Sequence, residues 1–110
     1  MMTLNEYQEK ALVFAQDATR GEMITYAALG MCGEAGEVAD KLKKIIRDKN
    51  GYIDTEDGDE IALEVGDVLW YCVVLANSLG YSLEEIAAMN CEKLQDRKDR
   101  NAIGGSGDHR

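Results

Sequence analysis

The sequence contains no proline and few aromatic residues, which together make up 6% of its 110 positions. Because proline interrupts helices and aromatic residues are enriched in strands, their scarcity favours long, uninterrupted helices. Apolar residues nevertheless make up 45% of the chain, which argues against intrinsic disorder. The length is typical of one domain. We therefore expect a single, mainly helical domain.

Histidine and cysteine are also scarce. The one histidine, His109, lies near the end of the chain, so the Glu-x-x-His motifs of a di-iron helical bundle are missing. The three cysteines, Cys32, Cys72 and Cys91, are odd in number and lack a CxxC spacing. This pattern argues against a disulfide framework and against a zinc site. We expect reduced thiols in the core of a cytoplasmic protein.

An excess of positive charge and a long apolar run are absent as well. The net charge of −9 would repel phosphates, so we expect no nucleic-acid partner and no anionic membrane surface. The longest dense apolar run, VLWYCVVLA, is far shorter than a membrane span. The N-terminal sequence MMTLNEYQEK lacks the pattern of a secretory signal. An acidic surface suits a protein that holds divalent cations, but the net charge alone favours the simpler interpretation of a merely solvated acidic surface.

Capping residues and apolar periodicity predict four helices. The first opens at Thr3, with Glu6 completing a capping box, and is expected to end near Arg20-Gly21. The second is expected from about Thr25 to Asn50-Gly51, and the third from about Glu60, after a cap at Asp57 or Asp59, to Leu79. Ser82 and Glu85 form the capping box of the fourth. The closing segment RKDRNAIGGSGDHR is expected to be a flexible tail.

Two similar motifs place acids beside the apolar stripes of helices two and three. They are EAGEV, which contains Glu34 and Glu37, and EVGDV, which contains Glu64 and Asp67. Residues three apart lie on one helix face, so each motif forms a short acidic row. In an antiparallel pair of helices the two rows can face each other. Such a cluster would repel itself unless a cation neutralised it.

Several glycines accompany the acids, although each costs a helix about 1 kcal/mol relative to alanine. They are Gly30, Gly33, Gly36 and Gly66. We expect them to let the helices approach closely enough for the four acids to share a cation. Carboxylates without histidine favour Mg²⁺, with Mn²⁺ as the alternative, and Mg²⁺ shares its coordination with substrate phosphates. The competing interpretation is that the ExxE and ExxD motifs lie on solvated faces by chance, since glutamate is a good helix former.

The arrangement resembles the all-α nucleoside triphosphate pyrophosphohydrolases of the MazG type. Here 26 residues separate the Glu34-x-x-Glu37 motif from Glu64-x-x-Asp67. An NxxKLxxR pattern follows, at Asn90, Lys93, Leu94 and Arg97. The segments GEAGEVADKLKK and ALEVGDVLWYCVVLANSLGYSLEEIAAMNCEKLQDR look like the family over most of the chain. The closing RKDRNAIGGSGDHR looks like the tail of a phage and bacterial MazG-like subgroup.

The resemblance implies an all-α, antiparallel four-helix bundle-like domain over residues 1–100, followed by a glycine-rich tail over 101–110. It implies a homodimer or homotetramer that hydrolyses a nucleoside triphosphate between the α- and β-phosphates. The four acids would be the catalytic residues and the magnesium ligands, in a site between helices two and three. The residues implied in substrate binding are Asn90, Lys93 and Arg97 for phosphate and sugar, Lys41 for phosphate, and Tyr71 beside the nucleoside.

Alternatives stay open at this point. Lys93 and Arg97 are also explained as surface charges near the carboxyl end of a helix, where cations are favourable. Tyr71 is also explained as core packing. Two other functions also stay open. One is a phosphoribosyl-ATP pyrophosphohydrolase, which cleaves the same bond, and the other is a catalytically silent helical oligomer whose acids bind a metal or a protein partner. The tail either frays or folds over the site, where its glycines would let backbone amides approach phosphate.

Overall fold

The computed structural model describes residues 1–15, 20–101 and 104–109, and in them four α-helices and no strand. The helices are α1 (Leu4–Leu12), α2 (Arg20–Lys49), α3 (Thr55–Leu79) and α4 (Leu83–Asp99). The prediction of an all-α chain with four helices is therefore confirmed.

Local signals fix most of the helix ends. Asn50 and Gly51 adopt positive φ angles of 52° and 80° after α2, as the Asn-Gly sequence predicts. Gly80, with φ 86°, ends α3 by donating its N–H to the carbonyls of Ala76 and Asn77. Ser82 and Glu85 form the predicted reciprocal capping box at the start of α4.

Two helix boundaries differ from the prediction. The helix α1 ends at Leu12, long before Gly21, because the next apolar side chains, Val13 and Phe14, are exposed and find no core to cover. The rest of the segment predicted as helix, residues 16–19, lies outside the described residues. The helix α2 begins at Arg20 and not near Thr25, since no proline prevents the helix from extending back.

The helix α3 begins about one turn earlier than predicted. Its N-cap is Asp54, whose side chain accepts the Asp57 N–H, while the Asp57 carboxylate accepts the Asp54 N–H. Asp57 is thus the inner member of a capping box and not the cap itself. Lys49, at the end of α2, ion-pairs with both carboxylates, which closes the connection between α2 and α3.

The helices α2 and α3 form a long antiparallel hairpin. Lys41 ion-pairs with Glu60, and further along the hairpin the Met31 and Cys72 sulfurs lie 3.5 Å apart. Position numbers rise along α2 as those of their partners fall along α3, so the two rods run in opposite directions. This register decides which acids face each other.

The buried core lies where α1, α3 and α4 meet. Its buried residues are Ala11, Val73, Ala76 and Leu83. The indole N–H of Trp70 donates to the Ala11 carbonyl oxygen at 3.0 Å, which fixes α1 on α3. In the described part of the chain, α4 contacts α1 and α3 but not α2. The four helices therefore form a hairpin with two helices packed on α3, and α4 does not close the bundle against α2.

The single chain is open and exposes many apolar side chains. Its radius of gyration is 16.7 Å, against about 13 Å for a compact domain of 100 residues. Leu29, Leu63 and Ile46 are among the large hydrophobic residues that lie exposed. The cysteines follow the same trend: Cys32 and Cys91 are exposed and not in the core, which corrects the prediction of core thiols.

One helix among the described residues, α3, has the length and composition of a membrane span. An 18-residue window of it has a mean hydropathy of 1.4, and 22% of that window is buried within the chain. The nine-residue run VLWYCVVLA, taken alone, predicts no such span. The helix α3 also contains scattered apolar residues around Glu64 and Asp67, which raise its mean hydropathy. A helix that another protein surface covers passes the same test.

Candidate functional site

The antiparallel register brings acids from α2 and α3 together. One carboxylate oxygen from each of Glu34, Glu64 and Asp67 lies within 4.8 Å of the others. Glu34 and Glu64 are half-buried, and Asp67 is exposed. The acidic rows of the two helices therefore do meet across the hairpin, which is the geometry that the two sequence motifs predict.

Electrostatics at this cluster are unfavourable for three negative charges. Partial burial, followed by the charges of Asp67 and Glu64, raises the pKa of Glu34 above its ordinary value. A hydrogen bond between the Glu34 and Glu64 side chains acts in the same direction. A raised pKa here means that the folded chain tolerates the ionised carboxylate poorly. A cation between the carboxylates would reverse that penalty.

Glu37 lies apart from this group. It is exposed, one turn further along α2, and is not one of the three residues whose oxygens converge. Its charge still contributes to the raised pKa of Glu34, as the smallest of the causes. The structure thus brings together three of the four predicted acids and leaves the fourth at the rim.

Lys41 sits beside the acids on the side toward the connection between α2 and α3. Its ammonium is 3.4 Å from a Glu60 oxygen and 3.6 Å from a Glu64 oxygen. It also lines a polar cavity of about 330 Å³ together with Lys44 and Lys49. The family resemblance implies Lys41 as a phosphate contact, and in the structure its ion-pair partners are the carboxylates of Glu60 and Glu64.

Tyr71 lies on the other side of the acids, in an aromatic group. Its ring centroid is 6.0 Å from that of Tyr26 and 5.0 Å from that of Trp70, which meets it edge-on. A hydrogen bond with Tyr26, then burial, raises the pKa of Tyr71, and the charges of Glu34 and Asp67 add to the shift. Tyr71 therefore lies within electrostatic reach of the acidic cluster.

The glycines serve a narrower purpose than predicted. A Cβ added to Gly30 would collide with the Tyr71 ring, so this glycine does allow a close approach of α2 and α3. A Cβ at Gly33, Gly36 or Gly66 would meet no atom within 4 Å. Within the single chain these three glycines therefore face open space. The expectation that all four bring the acids together is wrong for three of them.

Residues of α4 line a second face of the same region. Asn90 and Lys93 border an apolar groove of about 610 Å³ whose opposite wall includes Met31, one turn before Glu34. The Lys93 ammonium is 3.0 Å from an Asp108 oxygen in the tail. Arg97 is buried and donates to the carbonyl oxygens of Gly107 and Asp108. The alternative of solvated surface charges is therefore wrong for Arg97.

Some neighbours of the site were not identified from the sequence. Tyr26 is one, since its position opposite Tyr71 depends on the register of the hairpin. Tyr7 is another: burial, and then the charge of Asp67, raises its pKa, so α1 reaches the acids as well. No local pattern marks either tyrosine, because both contacts join residues that are distant in sequence.

The donor set suits a hard divalent cation. It offers carboxylate oxygens, and His109, the chain's one histidine, is an exposed residue of the tail. Magnesium and manganese prefer oxygen ligands, whereas zinc prefers nitrogen and sulfur. The mutual repulsion of Glu34, Glu64 and Asp67 is what such an ion would relieve. The three residues therefore fit Mg²⁺ or Mn²⁺.

Comparison with known proteins gives two matches. The model of the family described as the MazG nucleotide pyrophosphohydrolase domain matches residues 24–101. Gene 37 protein of Mycobacterium phage L5 is 49% identical over 96 residues, which cover 87% of this chain and 84% of that protein. No solved structure matches the chain. The family match spans every predicted site residue, from Glu34 to Arg97.

Proposed function

Because the chain belongs to the MazG nucleotide pyrophosphohydrolase domain family, we propose that it is a magnesium-dependent nucleoside triphosphate pyrophosphohydrolase. It would cleave an NTP or dNTP between the α- and β-phosphates and release the nucleoside monophosphate and pyrophosphate. The observation that carries the proposal is the convergence of Glu34, Glu64 and Asp67 within 4.8 Å, where a family member would need its metal.

The acids divide into two roles. Glu34, Glu64 and Asp67 would hold the ion, and a bound Mg²⁺ would lower the pKa of the attacking water and neutralise charge on the triphosphate. Glu37, at the rim and outside the converging group, is free to orient that water and to accept its proton. The water oxygen bonds to the α-phosphorus, and the bond between the α-phosphorus and the oxygen that bridges the α- and β-phosphates breaks. Pyrophosphate leaves with the bonding electrons.

The substrate would lie between the acids and α4. Asn90 and Lys93 line the groove and would contact phosphate and sugar. Arg97 lies one turn after Lys93 on the same helix and binds the tail beside them. Lys41, already within 3.6 Å of Glu64, would reach phosphate from the opposite side. Tyr71 would border the nucleoside, since it lies close to the acids and to the exposed ring of Tyr26.

We also propose that the protein works as a homodimer or homotetramer. The exposed apolar side chains and the large radius of gyration leave surface for a second copy to cover, α3 included. Covering by a protein explains the mean hydropathy of α3 without placing its carboxylates in a bilayer, where charge is costly. The acidic net charge supports the proposal of a cytoplasmic protein that binds neither nucleic acid nor membranes.

The proposal is tested by incubating the protein and Mg²⁺ with each common NTP and dNTP and with phosphoribosyl-ATP, and identifying the products. We expect a monophosphate and pyrophosphate from at least one nucleoside triphosphate. The Glu37→Gln variant should lose turnover and keep its affinity for Mg²⁺, whereas Glu34→Gln should lose both. The control is Glu9→Gln, which removes an exposed acid of α1 and should change neither.

Other outcomes would overturn the proposal. Cleavage of phosphoribosyl-ATP alone would replace it with the activity of a phosphoribosyl-ATP pyrophosphohydrolase. Diphosphate and inorganic phosphate as products would mean that the wrong bond is assigned. No product from any nucleotide, together with equal Mg²⁺ binding in all variants, would make the protein a silent helical oligomer.

A further inference from the structure

The C-terminal tail folds back on α4 and covers the Arg97 side chain. The Arg97 guanidinium donates to the carbonyl oxygens of Gly107 at 3.2 Å and Asp108 at 2.9 Å. The residue is only 4% exposed, although it lies on a helix whose neighbouring positions face solvent. Its Nε atom is also buried and has no hydrogen-bond partner among the described residues. Arg97 is therefore enclosed by the chain and does not present its charge to the groove.

The tail also reaches Lys93, one turn before Arg97. An Asp108 carboxylate oxygen is 3.0 Å from the Lys93 ammonium and 3.5 Å from the Arg97 guanidinium. The hydrogen bond from Lys93 is the main reason why the pKa of Asp108 is lowered. Lys93 keeps 40% of its side chain exposed and lines the groove beside Asn90. One tail residue thus restrains a cation that is still open to a ligand.

The two contacts differ in strength. An exposed ion pair such as Lys93 with Asp108 contributes little to stability, because water screens it and both side chains lose freedom. The bonds from the Arg97 guanidinium are charge-assisted and are made by a buried group, which makes them stronger. Gly107 has a φ of 82°, a conformation that other residues rarely adopt, so the turn that aims its carbonyl at Arg97 depends on glycine. Arg97 therefore anchors the tail on α4, and the anchored tail places the Asp108 carboxylate beside Lys93.

We propose that Arg97 and Asp108 are positioning residues, in which Arg97 holds the tail on α4 and Asp108 holds the Lys93 ammonium at the groove for the substrate phosphates. This inference rests on the proposed function. A lysine has many rotamers, and a ligand that must order it loses binding energy. A carboxylate that restrains Lys93 beforehand reduces that loss. Arg97 then contributes to substrate binding through the tail and not by touching phosphate.

The kinetic test uses Asp108→Asn, which keeps the shape and removes the charge, with Asp99→Asn as the matched control at the exposed end of α4. We expect Asp108→Asn to raise KM for the triphosphate about threefold to tenfold and to leave kcat unchanged, and the control to change neither. In a Lys93→Gln background, Asp108→Asn should have no further effect, because its influence passes through Lys93. An additive effect in that background would overturn the assignment, and so would a lower KM, which would make the tail an inhibitor.

Tail anchoring is measured separately from activity. The amide ¹⁵N relaxation of Gly104, Gly105 and Gly107 should show ordered backbone in the wild type and in Asp99→Asn. Arg97→Gln should make these amides mobile while the circular dichroism stays helical. Unchanged relaxation in that variant would overturn the anchor. If the wild type hydrolyses no nucleotide, the proposed function falls and the role of Lys93 with it, whereas the relaxation data still decide whether Arg97 holds the tail.

Discussion

Gly30 offers a quantitative test of the hairpin geometry around the acids. In the Gly30→Ala variant the helix gains about 1 kcal/mol of propensity. The new Cβ collides with the rigid ring of Tyr71, however, and overpacking of this kind costs about 1–3 kcal/mol. The net expectation is a loss of stability of up to about 2 kcal/mol. At about 4 °C per kcal/mol or more, the melting temperature should fall measurably.

Gly58→Ala is the matched control for Gly30→Ala. Gly58 also lies within a helix, in the first turn of α3, and a Cβ there meets no atom within 4 Å. This variant should therefore gain up to about 1 kcal/mol. Thermal unfolding at one protein concentration compares the two, since association makes melting temperatures depend on concentration. The fluorescence of Trp70, the chain's single tryptophan, should change in Gly30→Ala alone because it contacts Tyr71. Equal stabilisation by both alanines would refute the packing of Tyr71 on Gly30.

Three further predictions address the acids and the core. Glu64→Gln should lower pyrophosphate release at least about 100-fold in a nucleotide assay. Loss of a residue that hydrogen-bonds to a metal ligand costs about 10–100-fold, and loss of the metal ligand itself should cost more. Its circular dichroism should stay helical, and a collapsed spectrum would mean that the residue is structural. The raised pKa of Glu34 predicts that, without metal, its contribution to stability is lost as the pH rises above about 4.5 through the raised value. Urea unfolding should show this loss in the wild type and not in Glu34→Gln, whereas Asp40, whose pKa is lowered to about 2, acts with the opposite sign only at lower pH. Trp70→Phe should cost about 0.5–1.5 kcal/mol, because the Ala11 carbonyl loses its indole donor but keeps the Phe14 N–H, and an unchanged urea midpoint would contradict the docking of α1.

Signals contained within a few residues predicted the fold well. Gly80 and the pair Ser82 and Glu85 act through hydrogen bonds to neighbouring backbone, so the sequence alone locates the turn between α3 and α4. The start of α3 was predicted late although its signal was also local. Asp54 and Asp57 have the spacing of a capping box, in which Asp54 is the cap and Asp57 is the inner acid.

Packing between distant residues decided what the sequence could not predict. Nothing near Leu12 marks the end of α1, which follows from where the core on α3 stops. The four glycines near the acids look alike in the sequence, and only the packing of α3 on α2 shows that Gly30 meets the Tyr71 ring whereas Gly33 and Gly36 face open space. The contact of Asp108 with Lys93 likewise spans residues far apart in the chain.

The acidic cluster was predictable because both rows follow helical periodicity and a short connection forces the helices to run antiparallel. Glu34, Glu64 and Asp67 converge for that reason. The different position of Glu37 was not predictable, since a displacement of one turn along α2 depends on the axial register of the hairpin. That register is set by long-range pairs such as Lys41 with Glu60.

The most direct test of the account is a crystal structure with Mn²⁺ and a non-hydrolysable nucleoside triphosphate analogue, in which anomalous scattering locates the metal. The account predicts a peak within coordination distance of carboxylate oxygens of Glu34, Glu64 and Asp67. A peak elsewhere with the analogue bound, or these three carboxylates far apart in every subunit, would contradict it.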